Sequence, residues 1–123
     1  MLAEIITPKS IIFSDISDFL IVPGIEGDLG ILDNHSYLVT NIRPGLVYIY
    51  KDKTISKKFF LKEGIFEFSN NKAILLTESA EDFEKINEGD LDKIIIDLEN
   101  KEKHQELLDI YVKREIIKNQ FYN

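Results

Sequence analysis

From Leu2 to about Glu84 the apolar residues come in short runs cut by turn formers, the pattern of many short strands. The runs predict strands over 2–7, 11–13, 19–22, 30–32, 37–40, 46–51, 54–61, 65–68 and 73–77. Pro8, Pro23 and Pro44 fix φ between them, and Gly24, Gly27, Gly30, Gly45 and Gly64 open backbone angles closed to other residues. Asp52-Lys53 and Asn70-Asn71 read as hairpin tips. No helical segment separates the strands, which argues for antiparallel pairing, and Phe19-Leu20-Ile21-Val22 is apolar on both faces; a sandwich or flattened barrel fits best. After Asn87-Glu88-Gly89 the period changes. Leu91, Ile94, Ile95 and Leu98 recur at the spacing of one helix face, with Asp90 as the expected N-cap. A second helix is expected from about 102 to 122, with Leu107, Ile110, Tyr111, Ile117 and Phe121 on one side and Leu108, Val112 and Ile116 flanking them. Asn100-Lys101 would join the two as an antiparallel hairpin. The fold class expected is thus an all-β sandwich followed by a C-terminal α-helical hairpin, with domains over 1–86 and 87–123.

Composition narrows the chemistry. The 123 residues are 44% hydrophobic and 30% charged, ordinary for a globular chain. No cysteine is present, which excludes disulfides and thiolate metal sites. A net charge of −7 opposes binding to phosphate backbones, so nucleic acid is not an expected partner. Met1-Leu2-Ala3-Glu4-Ile5-Ile6 has neither the basic start of a signal peptide nor the Arg-rich character of a transit peptide, and neither is expected. Nothing approaches the run of about 20 apolar residues that spans a bilayer, so any membrane role is expected to come through a partner.

The densest motif is Val22-Pro23-Gly24-Ile25-Glu26-Gly27-Asp28-Leu29-Gly30-Ile31-Leu32. Its glycines do not match G-x-G-x-x-G, and no Gly-Lys-Ser/Thr follows to reach phosphates, so it reads as a tight loop between strands. Glu26, Asp28, Asp33 and His35 form a second candidate, a metal or acid-base cluster; such a site needs convergent groups, and the chain has only His35 and His104, in different regions. No Gly-x-Ser-x-Gly elbow is present. In the tail, Lys113, Arg114, Glu115 and Lys118 read as a solvated helix face, except that Arg114 falls within the apolar stripe. A charge there needs an acidic partner or must snorkel past its neighbours.

Several of these segments, in this order, resemble the epsilon-subunit family of F-type ATP synthases, the equivalent of the mitochondrial delta subunit. They are Ile6-Thr7-Pro8, Phe13-Ser14, Val22-Pro23-Gly24 through Gly27-Asp28-Leu29-Gly30-Ile31-Leu32, His35, Leu38-Val39-Thr40, Ile42-Arg43-Pro44-Gly45 and Gly64-Ile65-Phe66-Glu67. Asp33-Asn34-His35-Ser36-Tyr37 stands where the family commonly has Pro-Gly-His-Ala-Pro, and Asn34 replaces the glycine because Asn tolerates left-handed angles. The resemblance implies a sandwich of about ten strands acting as a non-catalytic rotor component. The sandwich would bind the gamma shaft and the membrane ring of c subunits, with Glu26, Asp28 and His35 facing the ring. The helical tail would be regulatory, carrying Lys113, Arg114 and Lys118 to the catalytic head of alpha and beta subunits to restrain ATP hydrolysis. It implies no catalytic residue, metal or cofactor in this chain, and a peripheral place on the cytoplasmic side of the bacterial plasma membrane. Some family members bind ATP through Ile/Leu-Asp-x-x-Arg-Ala; here Leu91-Asp92-Lys93-Ile94 opens that motif, but Ile95 and Ile96 take the place of Arg and Ala, so no nucleotide site is expected. Two rival readings remain: a free-standing β-sandwich binding module for a small ligand or sugar, and a small metal-dependent hydrolase using Asp28, Asp33 and His35.

Overall fold

The computed structural model describes residues 1–100, 104–120 and 122, without the side chains of 97–100, 104, 105 and 107. The expected Asn100-Lys101 connection, the side chains of Leu98 and Leu107, and Phe121 lie outside the described residues. The chain divides into two units, 1–84 and 85–122.

The first unit holds ten strands: β1 (Leu2–Ile6), β2 (Ile11–Ile16), β3 (Phe19–Gly24), β4 (Gly27–Leu32), β5 (Leu38–Ile42), β6 (Gly45–Lys51), β7 (Thr54–Leu61), β8 (Gly64–Ser69), β9 (Lys72–Thr77) and β10 (Ala80–Asp82). One sheet runs β10-β7-β6-β3-β4 and the other β5-β8-β9-β1-β2; the pair Gly24↔Ile42 between β3 and β5 joins them into a flattened barrel. The sandwich expectation holds, with three differences. β4 begins at Gly27 and not at 30, because the glycines pair with β3 to its very end, Gly24↔Gly27. β10 has no apolar alternation to announce it, and forms by pairing with the end of β7, Ala80↔Leu61 to Asp82↔Phe59. Pairing is antiparallel throughout except between β1 and β9, which run parallel from Leu2↔Lys72 to Ile6↔Leu76. Parallel neighbours need a long connection, and here seven strands supply it.

The period of two along a strand decides the core. Ala3 and Ile5, Leu20 and Val22, Val47 and Ile49, Phe59 and Leu61, Phe66 and Phe68, and Ala73 and Leu75 point inward and are buried together. Each large side chain so buried contributes about 1.5–3 kcal/mol. Ile21, Leu46, Tyr48 and Phe60, of opposite parity, are buried as well, so the centre of the first sheet is apolar on both faces. The two expected tips each place two residues in the left-handed region, Asp52 (φ 54°) with Lys53 (φ 67°) and Asn70 (φ 50°) with Asn71 (φ 55°), the signature of type I′ turns. At Gly64 the sheet admits no side chain: a Cβ there would lie 2.0 Å from the Leu76 carbonyl oxygen.

A 3₁₀ turn, Phe83–Lys85, spans the boundary between the units, and the second unit holds α1 (Glu88–Asn100) and α2 (His104–Lys118). The cap of α1 is Asn87, not Asp90. Asn87 Oδ1 accepts from the Gly89 N–H at 2.8 Å, and the Asn87 carbonyl accepts from Asp90 and Leu91 at 3.1 and 3.2 Å. Asp90 sits inside the first turn, where its carboxylate meets the positive end of the helix dipole. Leu91, Ile95 and Ile117 are buried, whereas Ile94, Leu108 and Val112, expected on or beside the apolar stripe, are exposed. Over 88–96, the part of α1 whose side chains are described, the buried apolar positions are the i, i+4 pair Leu91 and Ile95. α2 ends at Lys118, with 119 and 120 already outside it, short of the expected end near 122; residues 102 and 103 lie outside the described residues.

Candidate functional site

The tip between β3 and β4 is braced from the β5–β6 connection. Gly24 and Gly27 face each other so closely that a Cβ on Gly24 would lie 2.8 Å from the Gly27 oxygen. The Ile25 N–H donates to the Asn41 carbonyl at 2.9 Å, and the Arg43 N–H to the Pro23 carbonyl at 3.0 Å. The Arg43 guanidinium then reaches across the tip: Nη1 donates to the Gly24 carbonyl and Nη2 lies 2.5 Å from Asp28 Oδ1. Glu26, at the apex, is exposed and forms no ion pair among the described residues.

His35 lies beyond the opposite end of β4. Its Nδ1 donates to the Ser36 carbonyl at 2.7 Å, and its ring stands edge-on to Phe68 with centroids 5.7 Å apart. This loop is pinned as well. The Met1 amino group holds Asp33, and Asn34, left-handed at φ 61°, donates its N–H to Asn71 Oδ1 at 2.8 Å. Asn34 thus does what glycine was expected to do. The length of β4, about 17 Å at the usual rise per residue, separates Glu26 and Asp28 from His35. These three do not converge on one point; they flank a strand that pairs only with β3 among the described residues. The same separation splits Asp28 from Asp33 and His35, and no group of three metal-ligating side chains occurs among the described residues.

A feature not anticipated from the sequence lies on the outer face of the second sheet. Ile6 sits beside Leu76 and Leu76 beside Ile65 in register, with Ile65 45% and Leu76 47% exposed. They floor an open groove of about 500 Å³ flanked by Pro8, Glu63 and Glu78. The signal was present in the parity: Ile65 and Leu76 alternate with the core residues Phe66 and Leu75, at positions where a solvated face would carry polar side chains.

In the helical unit Arg114 has the acidic partner its position required. Its Nη1 lies 3.1 Å from Asp92 Oδ1 on α1, and its guanidinium carbon 5.2 Å from the centre of the Tyr111 ring. Its Nε is buried without a hydrogen-bond partner among the described residues. Lys113 is half-buried and Lys118 exposed at the last turn of α2.

Braced loops and an exposed apolar sheet on a closed core define a β-sandwich contact module with an appended pair of helices. The chain belongs to the ATP synthase delta/epsilon chain family, whose beta-sandwich domain model matches residues 1–83. An ATP synthase epsilon chain of Hydrogenobaculum sp. (strain Y04AAS1) is 38% identical over 77 residues, 63% of this chain and 55% of the relative. That of Pelotomaculum thermopropionicum is 39% identical over 84 residues, covering 68% and 61%, and that of Rhodospirillum centenum 30% identical over 100 residues, covering 77% and 68%. The match thus spans little more than half the length of the first of these relatives. A chain in the structure of Euglena gracilis mitochondrial ATP synthase, OSCP/F1/c-ring, superposes with a TM-score of 0.71 at 18% identity, over 95% of this chain and 74% of that one. A second, from the central stalk and c-ring of the Tetrahymena thermophila enzyme, gives 0.57 at 18% identity over 69% and 68%.

Proposed function

We propose that this chain is a non-catalytic central-stalk subunit of a proton-translocating F-type ATP synthase, joining the membrane rotor ring to the gamma shaft. It works peripherally, on the cytoplasmic side of the bacterial plasma membrane. Among the described residues no helix is long and apolar enough to cross a membrane, and attachment is assigned to the partners. The observation that carries the reading is the apolar row Ile6–Leu76–Ile65, left open on a sandwich whose core is otherwise closed. Exposed apolar surface rimmed by polar groups is the usual mark of a protein interface, and we assign this one to the shaft. Glu63 and Glu78 at its edge suit a partner with basic residues beside an apolar stripe. The β4 edge, with Glu26 and Asp28 at one end and His35 at the other, is assigned to the polar loops of the ring. Torque then passes between the two contacts through a close-packed interior, which transmits strain and yields little. The helices, through Lys113, Arg114 and Lys118, reach acidic residues of the catalytic head and restrain ATP hydrolysis.

The test is co-purification with gamma. Ile65→Glu with Leu76→Glu places two charges in the groove without touching the core. Ile65 and Leu76 are each about half exposed, so covering the pair is worth about 1.5–3 kcal/mol in all, and binding should weaken by about ten- to a hundredfold while the thermal transition of the isolated chain stays in place. Undiminished capture of gamma by the double variant would overturn the shaft assignment. A free-standing ligand-binding module would capture no gamma at all.

A further inference from the structure

We infer that Arg43 is the positioning residue of the ring contact, holding the β3–β4 tip in shape so that Glu26 is the acid presented outward; this rests on the ring-contact reading above. Asp28 is the acid that sequence reasoning set beside Glu26, yet its carboxylate is turned onto Arg43 at 2.5 Å. The same guanidinium donates to the Gly24 carbonyl, so one side chain ties both strands of the hairpin where they meet. A planar fork can do this and a point charge cannot: Lys offers the charge without two donors in fixed geometry. The backbone links from Ile25 to Asn41 and from Arg43 to Pro23 bring residue 43 to the tip, and Gly45 lets it approach, since a Cβ there would lie 2.8 Å from the Pro23 side chain. Tip and brace are 15 and 19 residues apart in sequence, so the contact exists only once β5 has folded beside β3.

The division of labour follows from these partners. Asp28 and Arg43 together carry no net charge toward the ring, and their value lies in geometry; Glu26 carries the charge. Reversing Asp28 alone would therefore act on the ring indirectly, by expelling Arg43 from the tip. The experiment has two readouts on the full chain. In the isolated subunit, amide exchange at Ile25 should speed up in Arg43→Gln and in Arg43→Lys. In Asp28→Arg with Arg43→Asp it should return part of the way, because that exchange rebuilds the ion pair while leaving the Gly24 carbonyl without its donor. In the assembled enzyme in inverted membrane vesicles, ATP-driven proton pumping should be largely lost in Arg43→Asp and in Asp28→Arg and substantially regained in the double variant. Glu26→Lys should lose it with the Ile25 exchange rate unchanged. Unaltered exchange at Ile25 in the Arg43 variants would overturn the positioning role whatever the pumping shows. Restored exchange without restored pumping in the double variant would overturn it too, since Asp28 would then touch the ring itself. Faster exchange with pumping unaffected in every variant, Glu26→Lys included, would instead remove the ring reading on which the proposal stands.

Discussion

At the scale of single residues, the turns rest on left-handed backbone angles and the strands are joined by side chains that reach across them. Asn34, Asp52 and Asn70 are residue types that tolerate left-handed angles, and they adopt them; that property is local, so the sequence carries it. The brace of Arg43 was not legible. Its motif, Ile42-Arg43-Pro44-Gly45, was conspicuous, but what a guanidinium grips is decided by strands that only the fold brings together. The same limit hid the outward triad of Glu4, Lys72 and Ser14, which joins three neighbouring strands. Glu4 accepts from Lys72 at 3.0 Å and from Ser14 at 3.1 Å, and the hydrogen bond from Lys72 holds its carboxyl below the ordinary value of 4.5. The folded chain then binds that proton less tightly than the unfolded one. The stability this adds is complete above the ordinary value and is lost as pH falls through the lower folded value. The gap in melting temperature between the native chain and Glu4→Gln should accordingly close as pH drops from about 7 to about 2, and a gap that stays constant with pH would show the carboxylate to be idle.

At the scale of elements, strands marked by apolar runs were legible and those defined by their neighbours were not. β6 and β7 stand where the runs of apolar residues placed them. β10, three residues with two carboxylates among them, exists because the end of β7 had an open edge. Among the helices, the amphipathic period of α1 was correct in kind, but Asn87 and not Asp90 begins it. The pairing of Asp92 with Arg114 gives these two elements a polar clasp, and each also buries apolar side chains, Leu91 and Ile95 on α1 and Ile117 on α2. Asp92 is half-exposed, so the ion pair contributes about 0–1 kcal/mol. Asp92→Asn should therefore loosen the helices without unfolding them, seen as faster amide exchange across 108–118 and an unchanged rate in the strands. Equal protection in both proteins would mean that apolar packing alone holds the helices together.

At the scale of the whole molecule, the sandwich has its own core, so removal of 90–123 should leave it folded. On the proposed function, ATP hydrolysis by the assembled enzyme should then rise, and Lys113→Glu, Arg114→Glu and Lys118→Glu together should reproduce much of the rise. A single ion pair at a solvated protein surface contributes little, so single reversals should have small effects on hydrolysis. Hydrolysis indifferent to both changes would make the helices a brace and no brake. The parallel pairing of β1 with β9 bears on a different matter, the order in which the chain acquires its shape during synthesis. The first strand made cannot find its partner on that side until Leu76 has left the ribosome, after the hairpins between them have been synthesised. Pairings so distant in sequence fold slowly. They also make completion all-or-none: a nascent chain stopped short of β9 lacks Leu76, and with it the middle of the groove assigned to the shaft. On the proposed function, unfinished copies lack that contact and stay out of the rotor without a separate inspection step.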